Sequence, residues 1–288
     1  MADQPDSRQV MGATPPKAIP PKNDPTASMS FLDHLEELRW RIMKGLLGVS
    51  AGVIIAFIFS DFLVNKVILG PASSDFFMYK IMGISSIDLS LISRRLPGQF
   101  FTYWGTLIIA GAVIGSPIFI YQIWSFIEPA IESAGKWKTY KSVLFITSFF
   151  LAGVSFGYFI LVPFALQFFG QFIISDIISN EFDINEYFTS VALWTFSCGV
   201  IFQVPVVSYF LSKVGLLTPE FLKKYRRQAV LVILIIAAFI TPPDPVSQIM
   251  IAVPLVLLYQ LAIWVSKVAN KQREEELKKA FSENRSGE

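Results

Sequence analysis

The sequence predicts an all-α, polytopic membrane protein with six transmembrane helices and both termini in the cytoplasm. Of its 288 residues, 53% are hydrophobic and only 16% are charged, whereas about 25% of residues are charged in a soluble domain. The charges are clustered, and apolar runs long enough to enter a bilayer lie between the clusters. The mean hydropathy of +0.54 agrees with this class of protein.

The chain begins with a tail that is predicted to be disordered. Residues 1–28 contain six prolines and little apolar periodicity. The next segment favours a short amphipathic helix at the membrane interface that leads into the first span. Ser30 is a plausible N-cap for this helix, and its apolar face consists of Phe31, Leu35, Leu38 and Ile42.

Six apolar segments are predicted to be membrane spans: 42–64, 101–127, 143–167, 191–212, 228–240 and 249–266. The first four are long enough for a hydrocarbon core of about 30 Å. The last two are short, and the apolar part of the fifth spans only roughly 18 Å as a helix. Either the bilayer thins around this final hairpin, or the hairpin enters and returns without crossing fully.

The placement of basic residues predicts the orientation. Of 24 lysines and arginines, 20 fall in the two tails and in the loops after the second and fourth spans. The other side has four, Lys66, Lys80, Arg94 and Arg95. Because cytoplasmic loops are enriched in basic residues, the termini are predicted to lie inside. The membrane domain covers 29–267, and 268–288 is a charged cytoplasmic tail that continues the last helix.

The loop 65–100 is too long for a simple connection and predicts a cap of short helices over the outer ends of the spans. The interiors of the six spans lack ionisable residues, and their polar side chains are mainly glutamines. A glutamine in lipid needs a hydrogen-bond partner within the chain or on another helix. Two Gly-x-x-x-Gly pairs permit close packing of helices, Gly111 with Gly115 and Gly153 with Gly157.

Other features predict structure rather than chemistry. Prolines 117, 163, 205 and 254 are predicted to kink their helices. The single cysteine, Cys198, is read as a packing residue, and His34 is read as a partner of Glu37 on its own helix. No phosphate-binding loop, His-Glu-x-x-His or Gly-x-Ser-x-Gly motif occurs. We therefore expect no enzymatic activity, cofactor or metal.

Four short segments carry the most specific signal. They are His34-Leu-Glu-Glu37-Leu-Arg39, Tyr121-Gln-Ile-Trp-Ser-Phe-Ile-Glu-Pro129, Phe202-Gln-Val-Pro205-Val and Thr241-Pro-Pro-Asp244-Pro-Val-Ser-Gln248. In this order on a six-span chain, they resemble the signatures of the TatC family, the multispanning subunit of the twin-arginine protein translocase. The resemblance covers about residues 30–267.

This resemblance implies a receptor in the cell inner membrane. A TatC-like chain would bind the twin-arginine signal peptides of folded proteins at the cytoplasmic face. It would assemble with single-span partners of the TatA/TatB type into a multimeric complex, and proton-motive force would drive export. The implied partners are therefore these proteins, the signal peptides and the lipid bilayer, and no nucleic acid is implied.

The resemblance also implies site residues. Glu37, Leu38, Arg39, Phe126 and Pro129 match the signal-peptide site. Gly135 stands where the family often has a second glutamate, so Glu128 and Glu132 are the candidates for a second carboxylate.

Other matched positions concern assembly and structure. Gln203 occupies a position where some members carry glutamate, and its amide is predicted to hydrogen-bond a partner's helix. Gln248 likewise resembles a contact for a partner's span. Pro71, Pro205 and Asp244 match structural positions.

Two other functions are possible for a polytopic membrane protein. A small-molecule secondary transporter usually shows internal repeats and paired broken helices, and a proton-coupled one needs an ionisable group inside the membrane. A membrane-embedded enzyme needs polar catalytic groups at depth. Composition and topology alone do not distinguish a transporter from a receptor, whereas the four signatures favour the receptor.

Overall fold

The computed structural model describes residues 31–87, 89–131, 136–173, 175, 180–240 and 245–286. Several predicted features lie outside these residues: the tail 1–28, Ser30, Glu132, Gly135 and Asp244. Within the described part, the chain is almost entirely helical, as the sequence predicts.

Long helices make up most of the molecule. They are α1 (Phe31–Ile58), α4 (Gly98–Ile131), α5 (Lys136–Phe156), α6 (Val162–Gln171), α7 (Ile184–Ile201), α8 (Gln203–Val214), α10 (Arg226–Ile240) and α11 (Pro245–Ser286). Shorter helices are α2 (Ser60–Phe62), α3 (Phe77–Met82) and α9 (Pro219–Lys224). Two π-helical turns, Leu63–Ile68 and Gly157–Leu161, and a 3₁₀ turn, Gly70–Ala72, complete the helical elements of the described residues. Strands β1 (Leu91–Ile92) and β2 (Phe182–Asp183) pair in parallel.

Five helical stretches among the described residues are long and apolar enough to cross a membrane. They are Leu35–Ile58, Gly98–Glu128, Tyr140–Gln171, Ile184–Val214 and Gln248–Lys279. The fifth predicted span corresponds to α10, which has 15 residues. The prediction of a polytopic α-helical protein is confirmed, and so is the shortness of the fifth segment. The sixth segment is predicted to be short as well, but it lies in a continuous helix that is long and apolar enough to cross a membrane.

Helices α1 and α4 pack against each other so closely that side chains are excluded between them. A Cβ on Gly52 would collide with the carbonyl oxygen of Gly111, and one on Gly115 would lie 2.7 Å from the carbonyl oxygen of Gly48. Since lipid provides no hydrophobic drive between helices, such backbone contact is a main source of helix association. The first predicted Gly-x-x-x-Gly pair therefore packs within the chain.

The second glycine pair joins α5 to α7. A Cβ on Gly153 would lie 2.6 Å from the carbonyl oxygen of Cys198, and one on Gly157 would lie 2.9 Å from the Cα of Thr195. Cys198 is buried in the core, where its small side chain permits this approach.

Two of the four predicted proline kinks coincide with interruptions of the helices. Pro163 directly follows the π turn Gly157–Leu161, and Pro205 follows the break at Phe202 between α7 and α8. Each proline lacks the N–H that would bond the carbonyl four residues before it. Pro117 and Pro254, by contrast, lie inside helices that the backbone continues without interruption.

Short helical elements form the predicted cap over residues 60–82. The end of the bundle that carries this cap is named the outer end after the predicted orientation, and the opposite end is named the inner end. The attachment of the cap to the spans depends on tyrosine hydroxyls. Tyr158 donates to the carbonyl of Val67 at 2.6 Å, and Tyr187 donates to that of Ile68 at 2.7 Å. Within the cap, Tyr79 donates to the carbonyl of Pro71 at 2.5 Å. Burial also raises the pKa of Tyr79, in the cap, to about 12.

Pro71 explains why two of these carbonyls need an external donor. Helical geometry would bond the carbonyl of Val67 to the N–H of residue 71, but proline has none. The next N–H, that of Ala72, bonds Leu69 instead of Ile68. Both carbonyls are therefore left for Tyr158 and Tyr187, and Pro71 itself is fully buried.

A second outer connection joins the loop before α4 to the start of α7. Asp183 is the N-cap of α7 and accepts from the backbone N–H of Asn185 at 2.8 Å. This backbone bond lowers the pKa of Asp183. Thr102 on α4 donates to the Asn185 side chain at 2.5 Å, so the outer ends of α4 and α7 are joined by polar contacts.

Helix α11 packs along α8 and forms a hairpin with α10. The hydroxyls of Ser212 and Ser266, both fully buried, lie 2.6 Å apart between α8 and α11. Asn270 donates to the carbonyl of Leu217 at 3.1 Å. The helix continues unbroken through the charged tail, as the sequence predicts.

The contact between α1 and α4 gives a testable prediction for stability. Gly52→Ala forces two backbones apart, and such overpacking costs about 1–3 kcal/mol. We expect a lower free energy of unfolding, measured by thermal or denaturant unfolding of the purified chain in detergent.

Gly105→Ala is the matched control on α4. A Cβ there meets nothing within 4 Å, so the variant should be unchanged or more stable by up to about 1 kcal/mol, since alanine favours helix. Equal destabilisation of both variants would contradict the packing explanation.

Candidate functional site

The inner end of the α1–α4 pair brings two of the sequence signatures together. Gly52 faces Gly111, and Gly45 faces Phe119, so the helices are antiparallel with a fixed register. Eight residues before Gly45, Glu37 is then level with the segment that contains Phe126 and Glu128. The predicted site residues of both signatures therefore lie at the same end of this helix pair.

Glu37 is the central acidic side chain of this end and is already paired. Arg41, one helical turn along α1, donates to Glu37 Oε1 from Nε at 2.7 Å and from Nη2 at 2.5 Å. The Glu37 and Arg41 side chains are 28% and 24% exposed. Both bonds end on Oε1, so the second carboxylate oxygen, Oε2, takes part in neither.

Trp124 fixes the inner part of α4 on the rest of the bundle. It is buried, and its ring lies 4.2 Å from that of Phe210 on α8. Val143, Ile146 and Val206 complete this cluster, which joins α4, α5 and α8. The second signature thus has a packing role through Trp124.

The remaining predicted residues of the site differ in exposure. Leu38, Phe126 and Glu128 are half-buried, and Arg39 is exposed. The backbone of Pro129 lies in the last turn of α4. Glu132 and Gly135 lie outside the described residues, so whether Glu132 reaches Glu37 stays a prediction.

The two glutamines predicted to contact partners also bond within the chain. Gln203 Nε2 donates to the carbonyl of Ile146 on α5 at 3.4 Å, and Gln248 Nε2 donates to the carbonyl of Leu234 on α10 at 3.0 Å. Each amide therefore joins two helices of this chain, so both glutamines have a hydrogen-bond partner within the chain.

The sequence interpretation missed the partner of Glu37. It did not anticipate Arg41 as a partner of Glu37; the contact of Glu37 with His34 stays a prediction, because the side chain of His34 lies outside the described part of the chain. The spacing of four, with the acidic residue N-terminal to the basic one, is the favourable arrangement for helical ion pairs and could have indicated the contact with Arg41.

The fold defines a class of protein: a helical membrane protein with several helices long and apolar enough to cross a bilayer. The model of the family "Sec-independent protein translocase protein (TatC)" matches residues 33–254. The chain belongs to the TatC family, and it is thus a component of a membrane protein-transport system rather than an enzyme.

Comparisons with individual proteins support the same family assignment. The chain is 33% identical over 259 residues to TatC of Blattabacterium, covering 85% of this chain and 97% of that protein. It is 35% identical over 245 residues to TatCy of Bacillus subtilis, covering 85% and 91%. A crystal structure described as the twin-arginine translocase receptor TatC superposes with a TM-score of 0.71 at 30% identity, covering 81% of this chain and 99% of that one. Family membership sets aside the transporter and enzyme alternatives.

Proposed function

We propose that this TatC-family chain is the receptor for twin-arginine signal peptides of folded proteins and binds them at the cytoplasmic face of the inner membrane. The observation that carries the proposal is the half-exposed Glu37 carboxylate, which has one oxygen outside its ion pair, at the same end as Phe126 and Glu128. A guanidinium fork binds a carboxylate through paired, directed hydrogen bonds, which an ammonium cannot reproduce.

The ion pair with Arg41 is compatible with this role. The pair is partly exposed and at this spacing contributes about 0.3–0.5 kcal/mol, so exchanging Arg41 for another arginine costs the folded chain little. An arginine of the peptide therefore displaces Arg41 from Oε1 or adds a bond at Oε2. Leu38 and Phe126 provide apolar surface for the residues that follow the arginine pair.

The topology that we propose has six spans with both termini inside, in a multimeric complex with single-span TatA/TatB-type partners. Proton-motive force drives export through this complex. The location of 20 of the 24 basic residues supports the orientation. The apolar face of α10, with Leu231, Val232, Ile235 and Phe239 exposed, supports an arrangement in which the hairpin lies in lipid or against a partner's span.

Binding of a labelled signal peptide to the purified chain in nanodiscs tests the receptor role. We expect the Arg-Arg peptide to bind and a Lys-Lys peptide to bind at least about tenfold more weakly. Glu37→Gln should abolish most of this difference, because the amide cannot accept a charged fork.

Glu36→Gln is the matched control, since Glu36 is an exposed neighbour on the same helix. It should leave the Arg-Arg preference unchanged. Equal binding of both peptides by the unmodified chain would contradict the carboxylate mechanism.

A second carboxylate for the arginine pair is proposed at Glu128 or Glu132. Substitution of Glu128 or Glu132 by alanine, singly or together, should weaken binding of the Arg-Arg peptide, because two guanidinium groups need more than one acceptor carboxylate. If Glu128→Ala combined with Glu132→Ala leaves the affinity for the Arg-Arg peptide unchanged, the hypothesis is wrong.

Gln248 is proposed to contact the span of a TatA/TatB-type partner, and Gln203 is the second candidate. Hydrogen bonds between helices in lipid contribute about 0.6–1.7 kcal/mol, so Gln248→Leu should lower the amount of co-purified partner by about threefold to twentyfold. Gln260→Leu, exposed on the same helix, is the control. Unchanged recovery with Gln248→Leu would refute the contact, provided that the variant unfolds at the unmodified temperature.

Single cysteines in a Cys198→Ala background test the topology with an impermeant maleimide on intact cells. Ser74→Cys on the cap and Pro245→Cys at the start of α11 should react, because both positions are exposed and predicted to be outside. Ser282→Cys should react only after permeabilisation. Protection of Pro245→Cys alone would show a hairpin that does not cross, and labelling of Ser282→Cys in intact cells would contradict the orientation.

A further inference from the structure

A cavity of about 810 Å³ lies beneath the outer cap, between the cap and helices α4, α5 and α7. This volume falls within the range of about 300–1,000 Å³ typical of small-molecule sites. Its deeper wall is apolar, and its mouth is polar. The wall includes Ile109, Val113, Val154 and Phe159.

The cavity has the depth of one lipid leaflet. Helix α4 has 34 residues, so it extends beyond a hydrocarbon core of about 30 Å, whose edge then lies about ten residues from the helix centre. That edge falls near Trp104, which is 40% exposed and stacks on Phe57, as interfacial aromatics do. The part of α4 that lines the cavity runs from Thr106 to Ile114, from this edge to the middle of the helix.

The mouth presents two opposite charges at headgroup level. Lys66 and Asp75 both line the cavity and are both exposed. No ion pair joins them to each other in the described part of the chain. A ligand with one anionic and one cationic group would satisfy both, and the headgroup of a zwitterionic phospholipid has this pair of charges.

Thr106 adds an unpaired donor just below the mouth. It is only 4% exposed, and no hydrogen bond joins its hydroxyl to any described residue. Its hydroxyl borders the cavity and can donate to an acceptor inside it. The ester carbonyls of a phospholipid lie at this level and accept hydrogen bonds.

We propose that this cavity binds one zwitterionic phospholipid. Lys66 contacts its phosphate, Asp75 its headgroup amine and Thr106 an ester carbonyl, and an acyl chain lies along the apolar wall. The site is independent of the receptor role; only its assignment to the outer leaflet rests on the proposed topology.

A partner's transmembrane helix is the competing occupant. Thr195 Oγ1, deeper in the wall, is buried without a partner among the described residues and would suit a polar side chain. However, Lys66 and Asp75 line the cavity as two exposed opposite charges, and an apolar transmembrane helix has no such pair to match them. A zwitterionic headgroup with an attached acyl chain matches both these charges and the apolar wall.

Native mass spectrometry of the delipidated, purified chain tests the proposal with added phosphatidylethanolamine or phosphatidylglycerol. We expect one phosphatidylethanolamine per chain, bound more tightly than phosphatidylglycerol, which lacks the amine. Lys66→Ala should weaken binding of both lipids by about fivefold, or about 1 kcal/mol. Asp75→Asn should weaken binding of phosphatidylethanolamine only.

Lys80→Ala is the matched control, because Lys80 is exposed on the cap helix α3 but does not line the cavity. It should leave the affinity unchanged, and Thr106→Val should lower it while preserving shape. Equal losses for Lys66→Ala and Lys80→Ala, or binding of phosphatidylglycerol as tight as that of phosphatidylethanolamine, would overturn the proposal. So would the absence of a bound lipid together with crosslinks from a photoreactive residue at position 110 to a polypeptide in membranes.

Discussion

The backbone contact between α1 and α4 is the constraint on which the inner end of the molecule depends. Lipid is as apolar as the side chains that it surrounds, so helices associate through close packing and polar contacts rather than through exclusion from water. Glycines at 52, 111 and 115 permit this packing and fix the register of the two helices. That register makes Glu37 level with Phe126, although 89 residues separate them in the sequence.

The outer end depends on the satisfaction of backbone carbonyls. A backbone carbonyl that is buried in protein needs a hydrogen-bond donor, and Pro71 leaves the carbonyls of Val67 and Ile68 without their usual donors. Tyr158 and Tyr187 supply those donors from two other helices. The proline and the two tyrosines therefore act together: the proline follows the π turn Leu63–Ile68 and leaves its last carbonyls free, and the hydroxyls join them to the π turn Gly157–Leu161 and to α7.

The sequence predicted most of the fold because hydropathy and charge determine where a helix can cross a bilayer. The long spans, the short fifth segment, the outer cap and the charged C-terminal helix all follow from local composition. The tyrosine bonds could not be predicted, since Tyr187 and Ile68 are 119 residues apart and no local pattern encodes their contact. At the candidate site, the positions came from resemblance to TatC, whereas the pairing of Glu37 with Arg41 was missed despite its helical spacing.

The two ends of the protein therefore use polar groups in opposite ways. At the outer end, buried hydroxyls each bond one carbonyl, and a buried bond of this kind is costly to break because its groups would remain unsatisfied. At the inner end, Glu37 and Arg41 are partly exposed and weakly paired, so water can replace either partner at little cost. The proposed receptor role requires a surface that binds and releases an arginine pair, which is the second kind of contact, and the first kind holds the scaffold that supports this surface.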